Sequence, residues 1–156
     1  MSLAVPFACR RAVFALLLCP AALAADDWPR FRGPNGTGIA SAPGLPVEWT
    51  AADHAWETLL PGIGHSSPVV RDGRLFVTAA NEDGTARQLV CLDATDGKIL
   101  WTRALSLRTD TLHAKNSHAS GTPAVSDEFA VVAFADDERH VVAAYRLDGT
   151  PAWSQD

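Results

Sequence analysis

Cysteine is scarce in this sequence. Of three cysteines among 156 residues, Cys9 and Cys19 lie in an apolar stretch near the N-terminus, which leaves Cys91 alone in the rest of the chain. A single cysteine forms no internal disulfide, so the chain is not a disulfide-stabilised scaffold. Cys91 lies in the apolar run 89–92, which favours a small buried side chain over a reactive thiol.

Positive charge is also sparse and never forms a run. The chain has 13 Lys and Arg residues against 18 Asp and Glu, a formal net charge of −5. A protein that binds nucleic acid or an anionic membrane surface normally carries a basic patch or stripe. The sequence therefore predicts neither kind of partner.

Long hydrophobic runs are missing too. The longest, Ala12–Cys19, is shorter than the roughly 20 residues that span a bilayer, so no transmembrane segment is predicted. It follows the basic pair Arg10–Arg11 and precedes Ala22-Leu23-Ala24, the pattern of a secretory signal peptide over residues 1–24. We therefore expect an exported protein, periplasmic or secreted after cleavage. Lipid modification at Cys19 is the alternative, but the preceding Leu18 fits that signal poorly.

No helical stripe of apolar residues occurs after the leader, which predicts an all-β fold. Residues 25–53 are rich in turn-forming dipeptides, including Gly33-Pro34 and Asn35-Gly36. Beyond them lie short β-branched and aromatic runs, bounded by Gly, Asp and Asn.

If the leader is removed, its two basic residues are removed with it, and the formal net charge of the mature chain becomes 11 − 18 = −7.

These short runs repeat in one order: a strand beginning near a proline, an Asp turn, two apolar strands, an Asp-Gly turn and a strand with tryptophan. Pro68 to Trp101 is 33 residues and Pro123 to Trp153 is 30, so the core unit is nearly constant. Four short strands per unit, with a period in the forties or low fifties, are typical of β-propeller blades. We predict strands over 66–71, 74–80, 87–93 and 98–103, then over 121–126, 129–135, 140–146 and 151–154.

The tryptophan phrases carry a family resemblance. Leu92-Asp93-Ala94-Thr95-Asp96-Gly97-Lys98-Ile99-Leu100-Trp101 and Leu147-Asp148-Gly149-Thr150-Pro151-Ala152-Trp153 resemble the signature of pyrroloquinoline-quinone-type, or tryptophan-docking, propeller repeats. The opening 28–38, followed by 64–68, resembles a group of exported bacterial propellers of this type. The resemblance implies that Trp56, Trp101 and Trp153 are structural, each docking against a neighbouring blade.

By the same resemblance, the architecture is an incomplete β-propeller of about two four-stranded blades, at 64–105 and 117–156, plus an N-terminal latch strand at 54–60. In such proteins the latch completes the last blade, so the partners of this strand would lie beyond Asp156. Two blades and one strand do not close a ring and leave unpaired edges. We therefore expect a piece of a longer protein or a truncated reading frame; ring closure by self-association is the alternative.

Candidate ligand or partner contacts lie just before the first strand of each unit, because those strands line the central channel of a propeller. The polar residues expected at this rim are His65, Ser66, His113, Lys115, Asn116 and His118. If they bind a ligand, we expect the double replacement of His113 and His118 to weaken binding without lowering the melting temperature. The alternative without a binding function is that these residues belong to an ordinary polar loop. A metal shared by His113, His118 and His65 is a further, weaker alternative.

The leading function is therefore a non-catalytic exported scaffold that binds a protein or a small ligand through the rim. The alternative is part of a quinone-dependent alcohol or sugar dehydrogenase, which would hold pyrroloquinoline quinone with a divalent cation. The sequence lacks the adjacent cysteines frequent in such enzymes, and no residue can be matched to their cofactor site. No cofactor, metal or catalytic residue is evident from the sequence. A third alternative is a binding module fused to another domain.

Overall fold

A computed structural model describes residues 27–156; the predicted signal peptide and the first two residues of the turn-rich segment lie outside them. The described residues form eight strands: β1 (Val69–Arg71), β2 (Arg74–Ala80), β3 (Ala86–Asp93), β4 (Ile99–Ser106), β5 (Ala124–Val125), β6 (Phe129–Ala135), β7 (His140–Arg146) and β8 (Pro151–Gln155). One 3-10 turn, Ala51–Asp53, lies in the N-terminal segment. Within 27–156 no helix is long and apolar enough to span a bilayer.

The strands form two antiparallel sheets with the simplest topology. The first blade has the order β1-β2-β3-β4 and the second β5-β6-β7-β8, so every strand pairs with its neighbour in sequence. The predicted all-β fold with two four-stranded blades is confirmed. In the first blade, tight turns fix the register: Arg71 pairs with Arg74 across Asp72–Gly73, whose φ angles of 48° and 67° match the twist of a hairpin.

The first strand of each blade is shorter than predicted. Strands were expected from Ser66 and Gly121, but β1 begins at Val69 and β5 at Ala124. Both begin just after a proline, Pro68 or Pro123, which cannot donate to a ladder. Before Pro68 a side chain replaces the ladder, since the hydroxyl of Ser66 accepts the Thr78 N–H at 3.1 Å.

The main core lies between the two blades. Alternate residues of both sheets meet there in one buried cluster, which includes Val69, Phe76, Leu89, Cys91, Val125, Ala130, Val132, Phe134, Val141, Ala143 and Tyr145. The period-2 alternation of β6 and β7 places their buried residues on the face toward the first blade. Cys91 is fully buried, and this burial raises the pKa of its thiol to about 12. The expectation of a buried, unreactive Cys91 agrees with this position.

Trp101 joins the first blade to the second. Its indole N–H donates to the Leu147 carbonyl at 3.1 Å, and its ring lies against Phe76 and Tyr145 at centroid distances of 5.9 and 6.4 Å. The ring covers Gly149, where an added Cβ would lie 2.8 Å from it. Glycine at this turn therefore allows the blades to approach this closely.

Trp56 makes the same contacts with the first blade. Its indole N–H donates to the Ala94 carbonyl at 3.1 Å, and its ring covers Gly97. The residue two positions later repeats the pattern: Thr58 donates to the Gly97 carbonyl at 2.7 Å, as Arg103 donates to the Gly149 carbonyl at 2.6 Å. Trp56 thus occupies, relative to the first blade, the place that Trp101 occupies relative to the second.

Residues 54–60, predicted to be a latch strand, pair with no strand among residues 27–156. They lie over the outer face of the first blade, where Leu60 packs against a buried cluster that includes Val77 and Leu92. The predicted partner strands belong to no described residue, so the latch role stays a prediction. Trp153, the third repeat tryptophan, is 46% exposed on the opposite side of the second blade.

Candidate functional site: a rim groove between the blades

The segment before β1 forms one wall of a groove at the rim. Ile63 exchanges two main-chain hydrogen bonds with Ala80, both 2.8 Å, which fixes residues 62–65 beside the end of β2. The N–H groups of His65 and Ser66 each donate to the Ala119 carbonyl at 3.1 Å. The start of the first blade is therefore tied to the loop that precedes the second.

That loop, residues 107–123, is held by a buried charged cluster. Arg87 on β3 is only 2% exposed, and its guanidinium donates to the Asp110 carboxylate at 2.7 Å and to the Arg108 carbonyl at 3.2 Å. Nδ1 of His118 lies 2.8 Å from the same carboxylate. Since a buried charge is tolerated only when paired, this cluster fixes the path of the loop.

The groove itself has a volume of about 510 Å³. Its lining combines apolar side chains with polar ones, and it also includes two glycines; the members are Leu60, Gly62, Ile63, Gly64, His65, Glu82, Leu112, Asn116, Ser117 and His118. Glu82 provides the one carboxylate among these lining residues. A mixed lining of this kind suits a ligand with an apolar part and polar groups, because each can be matched on binding.

Three of the six predicted rim residues meet in this groove. His65 and Asn116 line it with exposed side chains, and His118 lines it while nearly buried. The Ser66 hydroxyl instead accepts a hydrogen bond from the N–H of Thr78 in β2. His113 and Lys115 form an exposed turn, in which Nδ1 of His113 accepts the Lys115 N–H at 3.2 Å, and neither lines the groove.

One expectation needs correction. The double replacement of His113 and His118 was expected to leave the melting temperature unchanged, but the side chain of His118 is only 9% exposed and pairs with Asp110. Its ring also covers Gly84, where an added Cβ would lie 2.4 Å from the ring. His118 is therefore part of the support of the loop, and its loss must destabilise the fold.

Sequence reasoning missed Arg87, Asp110 and Glu82. Arg87 lies in a strand whose neighbours Leu89 and Cys91, two and four positions on, are buried on the same face. The period-2 pattern therefore predicts a buried arginine, a signal that could have led to its carboxylate partner. Nothing local marks Asp110, because it lies 23 residues from Arg87 in a loop.

A quinone held with a divalent cation would need several oxygen donors grouped in one place. Within 27–156 no three His, Cys, Asp or Glu side chains lie close enough together to hold a metal ion. The carboxylate of Asp110, in the loop that precedes the second blade, is paired with Arg87 and His118.

Comparison with known proteins decides the family. A family model described as "Outer membrane protein assembly factor BamB", built on PQQ-type repeats, matches residues 47–156. The chain belongs to this PQQ-type repeat family. The match includes Trp56, Trp101 and Trp153 as well as both sides of the groove. The matched residues include both four-stranded antiparallel blades.

Among solved structures, the chain is similar to a europium-containing methanol dehydrogenase. The two share 26% sequence identity over 56% of this chain, with a TM-score of 0.42. The match spans only 14% of the length of that dehydrogenase. No curated protein gives a significant match to the sequence.

Proposed function

We propose that this PQQ-type repeat protein is an exported, non-catalytic scaffold that binds a protein or a small ligand in the rim groove. The main support for this proposal is the rim groove. It brings His65, Asn116 and His118 together with Leu60, Ile63 and Leu112 in one open volume of about 510 Å³. Such a cleft between rigid elements is a frequent place for ligand binding.

The chemistry of the groove favours a ligand of mixed character, such as a short peptide segment. Ile63 is 59% exposed and so offers an apolar contact that no described residue covers. His65 and Asn116 supply hydrogen-bonding groups beside it, and Glu82 supplies a negative charge. An apolar residue flanked by a basic or hydrogen-bonding one would satisfy all of these groups.

The walls are held in place before any ligand arrives. Main-chain bonds from His65 and Ser66 to Ala119 fix one wall, and the Arg87–Asp110–His118 cluster fixes the loop that forms the other. A preorganised site binds more tightly because little conformational entropy is lost on binding. This arrangement supports a binding role for the groove.

Export is part of the proposal. The basic pair Arg10–Arg11, the apolar run Ala12–Cys19 and the small residues Ala22 and Ala24 follow the order of a secretory leader. The description of the matching family, an outer membrane protein assembly factor, agrees with an extracytoplasmic protein that acts on other proteins. N-terminal sequencing of the product from an exporting host tests this part, with Ala25 or Asp26 as the expected first residue.

The binding proposal is tested by selecting ligands and then removing groove side chains. A phage-displayed peptide library is selected against the wild-type protein, and the affinity of the selected peptides is measured by calorimetry. We expect His65→Ala/Asn116→Ala to weaken binding about tenfold or more, because each loses a polar contact of up to about 1–1.5 kcal/mol. Both side chains are exposed, and the only side-chain hydrogen bond lost within residues 27–156 is the exposed one that Asn116 accepts from Ser120, so the melting temperature should change little.

A histidine away from the groove provides the matched control. His54 is exposed and follows the Ala51–Asp53 turn, so His54→Ala should leave both affinity and stability unchanged. The proposal is wrong if the selected peptides bind the groove variant as tightly as the wild type. It is also wrong if the selection yields no peptide that binds the wild type.

A further inference from the structure

The N-terminal segment lies against the inner edges of both blades. Trp28 exchanges two main-chain hydrogen bonds with Val70 of β1, of 2.8 and 2.9 Å. The next residue, Pro29, accepts the N–H of Val125 in β5 at 2.7 Å. Three main-chain bonds from two consecutive residues therefore join the segment to both blades.

Side chains add a charged contact at the same place. The Asp27 carboxylate accepts the Asp72 N–H at 3.0 Å and lies 3.0 Å from the Arg71 guanidinium. The same guanidinium pairs with Asp127 of the second blade. Arg71 thus links the carboxylate of the segment to a carboxylate across the blade boundary.

Pro29 fits this position for a physical reason. Consecutive residues of an extended segment direct their backbone groups to opposite sides, so Trp28 faces β1 and Pro29 faces β5. A proline has no N–H, so on the β5 side only its carbonyl needs a partner, and Val125 provides it. The edges of β1 and β5 therefore fit a three-residue peptide segment. Its first residue is acidic, its second has a main-chain N–H, and its third is a proline.

We propose that the inner edges of β1 and β5 form an acceptor site for an extended peptide of the type Asp-Trp-Pro, which Asp27–Pro29 of the chain itself occupies. Binding is by strand addition: main-chain bonds supply affinity, and the Arg71 guanidinium selects a carboxylate at the first position. Because the site spans both blades, the bound segment connects them at the end of the sheets where Asp72 and Asp127 lie. This site is separate from the rim groove.

The test uses the full chain with its own segment weakened. Asp27→Ala/Trp28→Pro removes the carboxylate and the N–H that donates to Val70. The probe is an N-acetylated peptide of residues 27–38 with a fluorophore at its C-terminus, and fluorescence anisotropy reports its binding. We expect at least about tenfold tighter binding to the variant than to the wild type, whose site is filled by a tethered competitor of high effective concentration.

A peptide with alanine in place of its Asp and proline in place of its Trp, the same changes as in the variant, is the control and should bind the variant at least about tenfold more weakly. Equal binding of the probe to variant and wild type, equal binding of the control peptide, or no saturable binding to the variant would each overturn the proposal. If the variant does not fold, amide hydrogen exchange of the wild type decides. Protection of Val125 comparable to that of Val70 supports the site, whereas exchange of Val125 at the rate of an unstructured amide refutes it.

Discussion

Trp101→Ala is the substitution whose effect follows most directly from the contacts between the blades. The side chain loses its ring contacts with Phe76 and Tyr145 and its hydrogen bond to the Leu147 carbonyl. It also loses the Arg103 guanidinium, which lies 5.5 Å from the ring centroid.

The size of the effect can be built from these contacts. Burial of an aromatic side chain removes about 150–250 Å² from water, at about 25 cal/mol per Å². Since Trp101 is only partly buried and alanine keeps part of the contact, we assign about 2–4 kcal/mol to the lost burial. The lost hydrogen bond adds about 1 kcal/mol. The expected loss in the free energy of unfolding is therefore about 3–5 kcal/mol, the usual range for truncation of a buried aromatic residue.

Urea denaturation followed by circular dichroism measures the loss without depending on tryptophan fluorescence. Trp153→Ala is the matched control, because Trp153 has the same place in its repeat but is 46% exposed, with no indole hydrogen bond within residues 27–156. We expect Trp153→Ala to cost less than about 1 kcal/mol. Equal losses for the two variants would refute the reasoning, because the effect would then follow residue type and not the contact with the second blade.

Three further predictions concern single residues. The backbone N–H groups of Arg108, Glu138 and Arg139 hold the pKa of Asp136 at about 2, below the ordinary 3.8, so its contribution to stability is present above about pH 4 and is lost as the pH falls toward 2. Melting temperatures measured across this range should decline less steeply for Asp136→Asn, and equal slopes would contradict the prediction. Cys91, with a pKa of about 12, should resist iodoacetamide at pH 8 in the native protein and react in urea, as peptide mapping will show; native labelling at the rate of a free thiol would contradict its burial. His118→Ala should lower the free energy of unfolding by about 1–3 kcal/mol, whereas exposed His113→Ala should not, and equal melting temperatures would mean that the Asp110 pair is not structural.

Much of the strand pattern could be read from the sequence. The predicted bounds 74–80, 129–135 and 140–146 coincide with β2, β6 and β7, because period-2 alternation and tight turns with Gly or Asp limit both ends of those strands. The beginnings of β1 and β5 could not be read in this way. There the ladder is replaced by side-chain contacts such as that of Ser66 with Thr78, which depend on the neighbouring strand.

The candidate site was less predictable than the fold. The position before each inner strand suggested a rim, but only the structure shows which side chains of loop 107–123 face the groove. His113 and His118 look alike in sequence, yet Asp110 and Arg87 bury one and leave the other exposed. Likewise, the sequence assigns residues 27–30 to a turn-rich segment and predicts no contact for them, because their contacts with both blades depend on how the sheets meet.

The most direct test of the account is to locate a bound peptide on the protein. Backbone amide chemical shifts of the isotope-labelled protein are recorded while a peptide selected against the wild type is added. We expect the shifts to change at residues 62–65, at Glu82, at Leu112 and across 116–118, around the groove. Changes confined to other surfaces, such as the exposed segment 39–49 or the face that carries Trp153, would contradict the assignment of the rim groove as the binding site.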